Sequence, residues 1–171
     1  MPFVRIKKIS NKEYAYLVEN TWKKRKKSSR QKSLKYLGRV FRLEKANELN
    51  YVFDEALDFK KAVLDLIKSE LKCFSFIGED KLKNEDLIVD FSNHKVYSEK
   101  NNKEITIKMN EGYFNSYSLK KVLSFTPEGD MNEIAFSLAN SFVAAGIDIP
   151  KDIFINLYHK LVEEHNLSLE D

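Results

Sequence analysis

Alternation of apolar and polar positions dominates the first stretch of the chain and gives way to helical spacing beyond it. Phe3 to Ile9 alternates as a strand, and Ser10-Asn11-Lys12 supplies turn-forming residues. Glu13 to Trp22 alternates again, with Tyr14, Tyr16, Val18 and Trp22 on one parity and Ala15 and Leu17 on the other. Arg30 to Leu37 reads as a returning strand that Gly38 breaks. The three segments predict an antiparallel meander, and three strands with one apolar face approach a stability that a lone hairpin lacks. Phe41 to Leu49 is a charged connector with some helical character. The composition shifts across it, which predicts a boundary near Lys45 between a basic β-module (1–45) and an acidic α+β domain (46–171).

In the second part, Phe53 to Lys72 is the clearest helix, with Phe53, Ala56, Leu57, Val63, Leu64, Ile67 and Leu71 at helical spacing and Asp54, Asp58, Lys61, Asp65, Lys68 and Lys72 on the wet face. The period then changes. Leu87 to Phe91, His94 to Ser98 and Glu104 to Met109 predict a second meander, turned at Ser92-Asn93 and Asn101-Asn102 and ended by Asn110-Glu111-Gly112. Helices follow over Ser116 to Phe125, from Asp130 with a capping-box Glu133 to a closing Gly146, and from Pro150 to His165. The predicted fold class is α+β: an N-terminal three-stranded antiparallel β-module followed by an α+β domain of one helix, a β-meander and three helices.

Composition narrows the classes. A chain of 171 residues with 43% hydrophobic and 32% charged positions buries a usable core and is neither disordered nor fibrous. A single cysteine, Cys73, excludes an internal disulfide, and with three histidines it leaves too few soft ligands for structural zinc, so no cofactor is expected. No apolar run reaches the roughly 20 residues of a membrane span, and Met1-Pro2-Phe3-Val4-Arg5 lacks the apolar core of a signal peptide. A soluble cytoplasmic protein with no membrane partner is the expectation.

Charge changes the picture most. The net of +3 conceals +12 over Met1–Lys45, where 15 basic residues face only Glu13, Glu19 and Glu44, and −9 over Ala46–Asp171. Such asymmetry pairs a segment for an anionic polymer with an acidic body. The basic residues concentrate in Lys23, Lys24, Arg25, Lys26 and Lys27, followed by Arg30, Gln31, Lys32 and Lys35, at the predicted hairpin tip. Clustered cations neutralise phosphates and release condensed counterions. Trp22 beside the tip, with Tyr14, Tyr16 and Tyr36, either stacks on unpaired bases or builds the module's own core. Only Arg25, Arg30 and Gln31 suit bidentate base contact, so backbone binding with weak sequence discrimination is expected.

The words Val4-Arg5-Ile6-Lys7-Lys8, Tyr16-Leu17-Val18-Glu19-Asn20, Arg30-Gln31-Lys32 and Lys35-Tyr36-Leu37-Gly38 resemble the N-terminal β-module ahead of some IS4-like transposases. They also resemble the leader of some archaeal Fic-domain and uncharacterised archaeal proteins. The resemblance covers residues 1–40 and implies DNA contact. The remainder is too short for a DDE catalytic domain and has no His-Pro-Phe signature, so neither activity carries over.

Other chemistry is thin. The order helix, three-strand meander, helix over Phe53 to Phe125 resembles the core layout of restriction-type nucleases, which would make Asp90 the candidate first metal ligand. The next strand, however, offers Glu104-Ile105-Thr106-Ile107-Lys108, with Thr106 where a carboxylate belongs. Ile134 to Leu161 has helix-turn-helix spacing, yet its second helix opens on Asp148, Lys151 and Asp152 and is mostly apolar, which suits packing. His159 and His165 are off the metal register, and Cys73 reads as a packed thiol. No P-loop, dinucleotide fingerprint or Ser-His-Asp set is found. The resulting expectation is a non-enzymatic protein that binds DNA or RNA, with DNA slightly favoured, and whose C-terminal domain forms a homodimer or docks a partner. The alternatives are a ribosome- or protein-associated factor and a metal-dependent nuclease with a degenerate site.

Overall fold

The computed structural model describes residues 2–23 and 28–165. In chain order the elements are β1 (Phe3–Ile9), β2 (Lys12–Lys23), β3 (Ser28–Arg42), α1 (Phe59–Cys73), β4 (Ile77–Gly78), β5 (Lys81–Asn84), β6 (Leu87–Asp90), β7 (Lys95–Ser98), β8 (Ile105–Met109), β9 (Gly112–Phe114), α2 (Ser116–Leu123), α3 (Met131–Ala145) and α4 (Lys151–Glu164). The class is α+β, and it opens on the antiparallel meander β1-β2-β3.

The meander forms for local reasons. Ser10 and Asn11 both hold positive φ, 47° and 64°, which closes a two-residue turn between paired Ile9 and Lys12. β3 carries two bulges: Ala15 faces Gly38 but Tyr16 faces Tyr36, and Leu17 faces Lys35 but Val18 faces Ser33, so Leu37 and Leu34 are the extra residues.

Gly38 does not break the third strand. It sits inside β3 at φ +96°, where a Cβ would lie 2.1 Å from the Glu104 carbonyl oxygen. The glycine is therefore a point of close backbone approach, and β3 runs on to Arg42 in parallel pairing with β8, from Arg39↔Ile105 to Arg42↔Lys108. Nor do the strands over 87–109 make one meander. β8 leaves to join β3 and β9 in a five-stranded sheet of order β1-β2-β3-β8-β9, while β6 and β7 pair with β5 and β4 in a second sheet. An antiparallel bridge between Tyr97 and Glu104 is the seam. β4, β5 and β9 are too short for periodicity to register.

The connector is not helical. Leu43, Leu49, Tyr51, Phe53 and Leu57 lie across the main core as an irregular strap, and α1 starts at Phe59 because Asp58 caps it, accepting from the Lys61 amide at 2.8 Å. Ala62, Val63, Leu66, Ile67 and Leu71 of α1 pack with Ile105, Ile107 and Met109 of β8, Phe114 of β9 and the inner stripes of α2, α3 and α4. The expected capping box Asp130/Glu133 and the left-handed Gly146 bracket α3, and Pro150 occupies the N-cap of α4. A second, smaller cluster lies under the meander: Ala15, Leu17, Leu37 and Val40, with Val4 and Ile6 from β1, Tyr113 from β9 and Tyr117 from α2.

Gly38→Ala tests the junction. The forced backbone shift is expected to cost roughly 1–3 kcal/mol, read by urea unfolding, whereas stability unchanged within half of the lower figure would show that β3 and β8 have room to separate.

Candidate nucleic-acid interface

Strand alternation divides the meander into two rows. In β2, even-numbered positions share one face, and their partners across the ladder share it with them. Tyr14 and Tyr16 stand opposite Lys7 and Arg5 on one side and Arg39 and Tyr36 on the other. The Tyr16 and Tyr36 ring centroids are 5.3 Å apart, those of Tyr14 and Tyr36 6.4 Å, and both pairs are tilted. The Lys7 ammonium lies over the Tyr16 ring at 4.8 Å from its centroid. Arg39 lies over Phe41 at 5.0 Å, where the face passes under the main core. Both acids of the meander, Glu13 and Glu19, point to the opposite row.

That opposite row carries the apolar residues of the smaller cluster and the compensated charges. Arg42 grips Glu13 through two hydrogen bonds of 2.8 Å, which hold the Glu13 carboxyl below its ordinary range. Lys35 is paired with Glu104 at 3.2 Å. None of Tyr14, Tyr16 and Tyr36 belongs to either hydrophobic cluster, and Tyr36 is 49% exposed. Of the two roles open to the tyrosines, building the core falls to Ala15, Leu17, Leu37 and Val40 instead. Partial burial, with Tyr16 and Tyr14 adjacent, pushes the Tyr36 phenol up.

The candidate binding residues read from the sequence are placed as follows. Lys23 is the last residue of β2, in register with Ser28, while Lys24, Arg25, Lys26 and Lys27 lie outside the described residues. Trp22 is 64% exposed in the same row as the tyrosines. Gln31 accepts a hydrogen bond from the Arg5 guanidinium across β2. Arg30 and Lys32 are exposed in the opposite row, Lys32 facing Glu19. Arg5, Lys7 and Arg39 were not singled out by sequence, although the spacing Arg5-x-Lys7 opposite Tyr14-x-Tyr16 would have disclosed the first two.

No family model, curated protein or solved structure matches the chain. Function therefore rests on the side chains themselves, and the remaining candidates are structural in their surroundings. Asp90 is buried and accepts from the amide and side chain of Asn93, each at 3.0 Å, and from Lys81 at 3.0 Å, so it caps the β6–β7 turn. Thr106 is buried and donates to the Leu37 carbonyl at 2.8 Å. Among the described residues no three His, Cys, Asp or Glu side chains gather as a metal site. The Cys73 thiol donates to the Ser69 carbonyl, and burial pushes its pKa up. The inner stripes of α3 and α4 are in the core rather than offered to a groove. No helix among the described residues is long and apolar enough to cross a membrane.

One other concavity stands out. A groove of about 490 Å³ runs between β1, β9, α2 and α3, lined by Phe3, Tyr113, Tyr117, Phe136 and Val143. Phe136 and Val143 are 70% and 56% exposed on it.

Asp90 supplies a pH test. Burial alone would raise its pKa, but the hydrogen bonds from Asn93 and Lys81 outweigh it and hold the carboxyl at about 2, below the usual value of 3.8. A depressed folded pKa contributes stability that is complete above about pH 4 and lost as pH falls toward 2. Asp90→Asn is expected to flatten that acid limb in thermal unfolding followed against pH; an unchanged limb would remove Asp90 from the acid response.

Proposed function

We propose that the protein binds nucleic acid without catalysing a reaction on it, through the meander and the basic run that joins β2 to β3 in sequence. The observation that carries this reading is the acid-free row in which Arg5, Lys7, Lys12 and Arg39 surround Tyr14, Tyr16 and Tyr36. Cations displayed without competing carboxylates exchange condensed counterions for protein contacts, the main sequence-independent source of affinity for a polyphosphate. The run Lys23–Lys27, between β2 and β3 in sequence, adds five further cations to the same part of the chain. The transposase-like words of residues 1–40 incline the ligand to DNA. Backbone contact dominates because lysines act as point charges, and bidentate base readers are few.

A second reading concerns the body. The groove with Phe136 and Val143 at its lip suits docking of a protein partner or a second copy, since large apolar side chains seldom stand together on a surface without an occupant.

Salt dependence tests the first reading. Replacing Arg5, Lys7 and Arg39 together by alanine is expected to weaken binding and to lower the slope of log affinity against log salt by roughly 2–3 units. Reversing the charges of Lys23–Lys27 is expected to abolish binding at moderate salt. An unchanged slope together with tight binding after the reversal would reject the nucleic-acid reading.

A further inference from the structure

We infer that the tyrosine row is a stacking platform for unpaired bases, so that the ligand of this interface is a single strand rather than a duplex; this rests on the nucleic-acid reading above. In a duplex the faces of the bases are covered by their neighbours, and only phosphates, sugars and groove edges are offered to a protein. Charge alone is enough for that contact, and it gives aromatic rings nothing to do. Here the cations surround three aromatic rings.

The rings are not part of the meander's apolar cluster. Its buried side is filled by Ala15, Leu17, Leu37 and Val40 against Tyr113 and Tyr117, and the tyrosine trio lies outside both clusters. The helices cover this sheet face over β8 and β9, where Ile105, Ile107, Met109 and Phe114 belong to the main core. Over β1, β2 and β3 the same face presents Tyr36, about half exposed, with Tyr14 and Tyr16 beside it. The first bulge of β3 sets Tyr36 opposite Tyr16 in place of Leu37, which brings the rings of adjacent strands to 5.3 Å. Lys7, over the Tyr16 ring, and Arg39, opposite Tyr14, supply cations for the phosphates of a strand whose base stacks on the more exposed Tyr36, while Arg5 reaches across β2 to Gln31.

The platform also has a direction. Trp22 occupies the same row of β2 six residues beyond Tyr16 and is 64% exposed. At roughly 3.3 Å per residue the two rings are separated by about 20 Å, the length of about six nucleotides stacked at roughly 3.4 Å each. Between the two rings the row holds the buried Val18 and the hydrogen bond from Arg5 to Gln31, so Trp22 is a second stacking point, separate from the tyrosines.

The test varies the ligand first, so that no variant has to fold. The intact protein is titrated with a single-stranded DNA oligonucleotide, the RNA of the same sequence, an abasic strand with the same number of phosphates, and the DNA duplex. The fluorescence of Trp22, the only tryptophan of the chain, is followed in each titration. The intact strands are expected to bind at least roughly tenfold tighter than the abasic strand, one stacked base being enough for that factor, and to quench Trp22 where the abasic strand does not. Whichever of DNA and RNA binds more tightly identifies the sugar. Tyr36→Leu is expected to weaken strand binding about tenfold while leaving duplex and abasic binding unchanged, and Tyr36→Phe to retain it. Equal affinity for intact and abasic strands would overturn the stacking platform and leave phosphate binding standing. Failure of all four ligands to bind would overturn the nucleic-acid reading, and the platform with it.

Discussion

The parallel pairing of β3 with β8 is the junction on which the architecture depends. A parallel neighbour demands a long crossover, and here the chain between the two strands contains the strap, α1 and the whole second sheet. Only at Gly38 do the two backbones come so close that a side chain has no room, and the residue accepts a φ that other amino acids avoid. Because β3 serves both partners, the meander is not an arm hung from the body but three strands of a five-stranded sheet. Thr106 strengthens the same seam by donating its hydroxyl to the Leu37 carbonyl beside the first bulge.

That continuity determines what each face of the meander is free to do. One row of side chains meets Tyr113 and Tyr117 of the body and becomes a small core. The other row continues the face that carries the main core over β8 and β9, and over the meander it exposes Arg5, Lys7, Tyr36 and Arg39 beside the half-buried Tyr14 and Tyr16 and the buried Val18. A half-covered antiparallel sheet normally shows polar side chains to water. Here the open row mixes cations with aromatic rings, while the acids are confined to the other row, where Arg42 satisfies Glu13. Cations stand in both rows but carboxylates in only one, so the tyrosine row carries uncompensated positive charge although the protein as a whole carries only +3.

The elements whose signal is local were legible in the sequence. Turn residues at Ser10-Asn11, the Asp130/Glu133 box and the Gly146 cap each act within a few positions, and each stands where its chemistry predicts. The elements set by distant partners were not. Gly38 has the look of a strand stop because a glycine demanded by a neighbouring backbone and a glycine that ends a strand are the same letter. Phe53 and Leu57 fit the period of α1 yet pack from an irregular strap, since burial rewards an apolar side chain whether or not its backbone is helical. Glu104 to Met109 alternates as a strand, but periodicity says nothing about which strand it will join. For the candidate site the aromatic residues were recognised and their role was left open. Arg5 and Lys7 follow from the pairing of the first hairpin, but the bulged register of β3 was needed to place Arg39 beside them.

A polar contact buried in the body ties together the segments that follow the two strands of the junction. Glu70 of α1 is fully buried and accepts from Lys45 of the strap at 3.1 Å and from Asn110 of the β8–β9 turn at 2.7 Å, while Asn110 also donates to the Gly146 carbonyl at 2.8 Å. One carboxylate thus fixes the strap that follows β3, the turn that follows β8, and the end of α3. A buried charge loses more when one partner is removed than the pair contributes as a whole, so these segments hold a single arrangement together. The two strands that define the junction are held at their C-terminal ends by that arrangement. The spacing of Arg39 from the tyrosines is therefore tied to the body, through β3 and the strap that follows it, as well as to the meander's own hairpins.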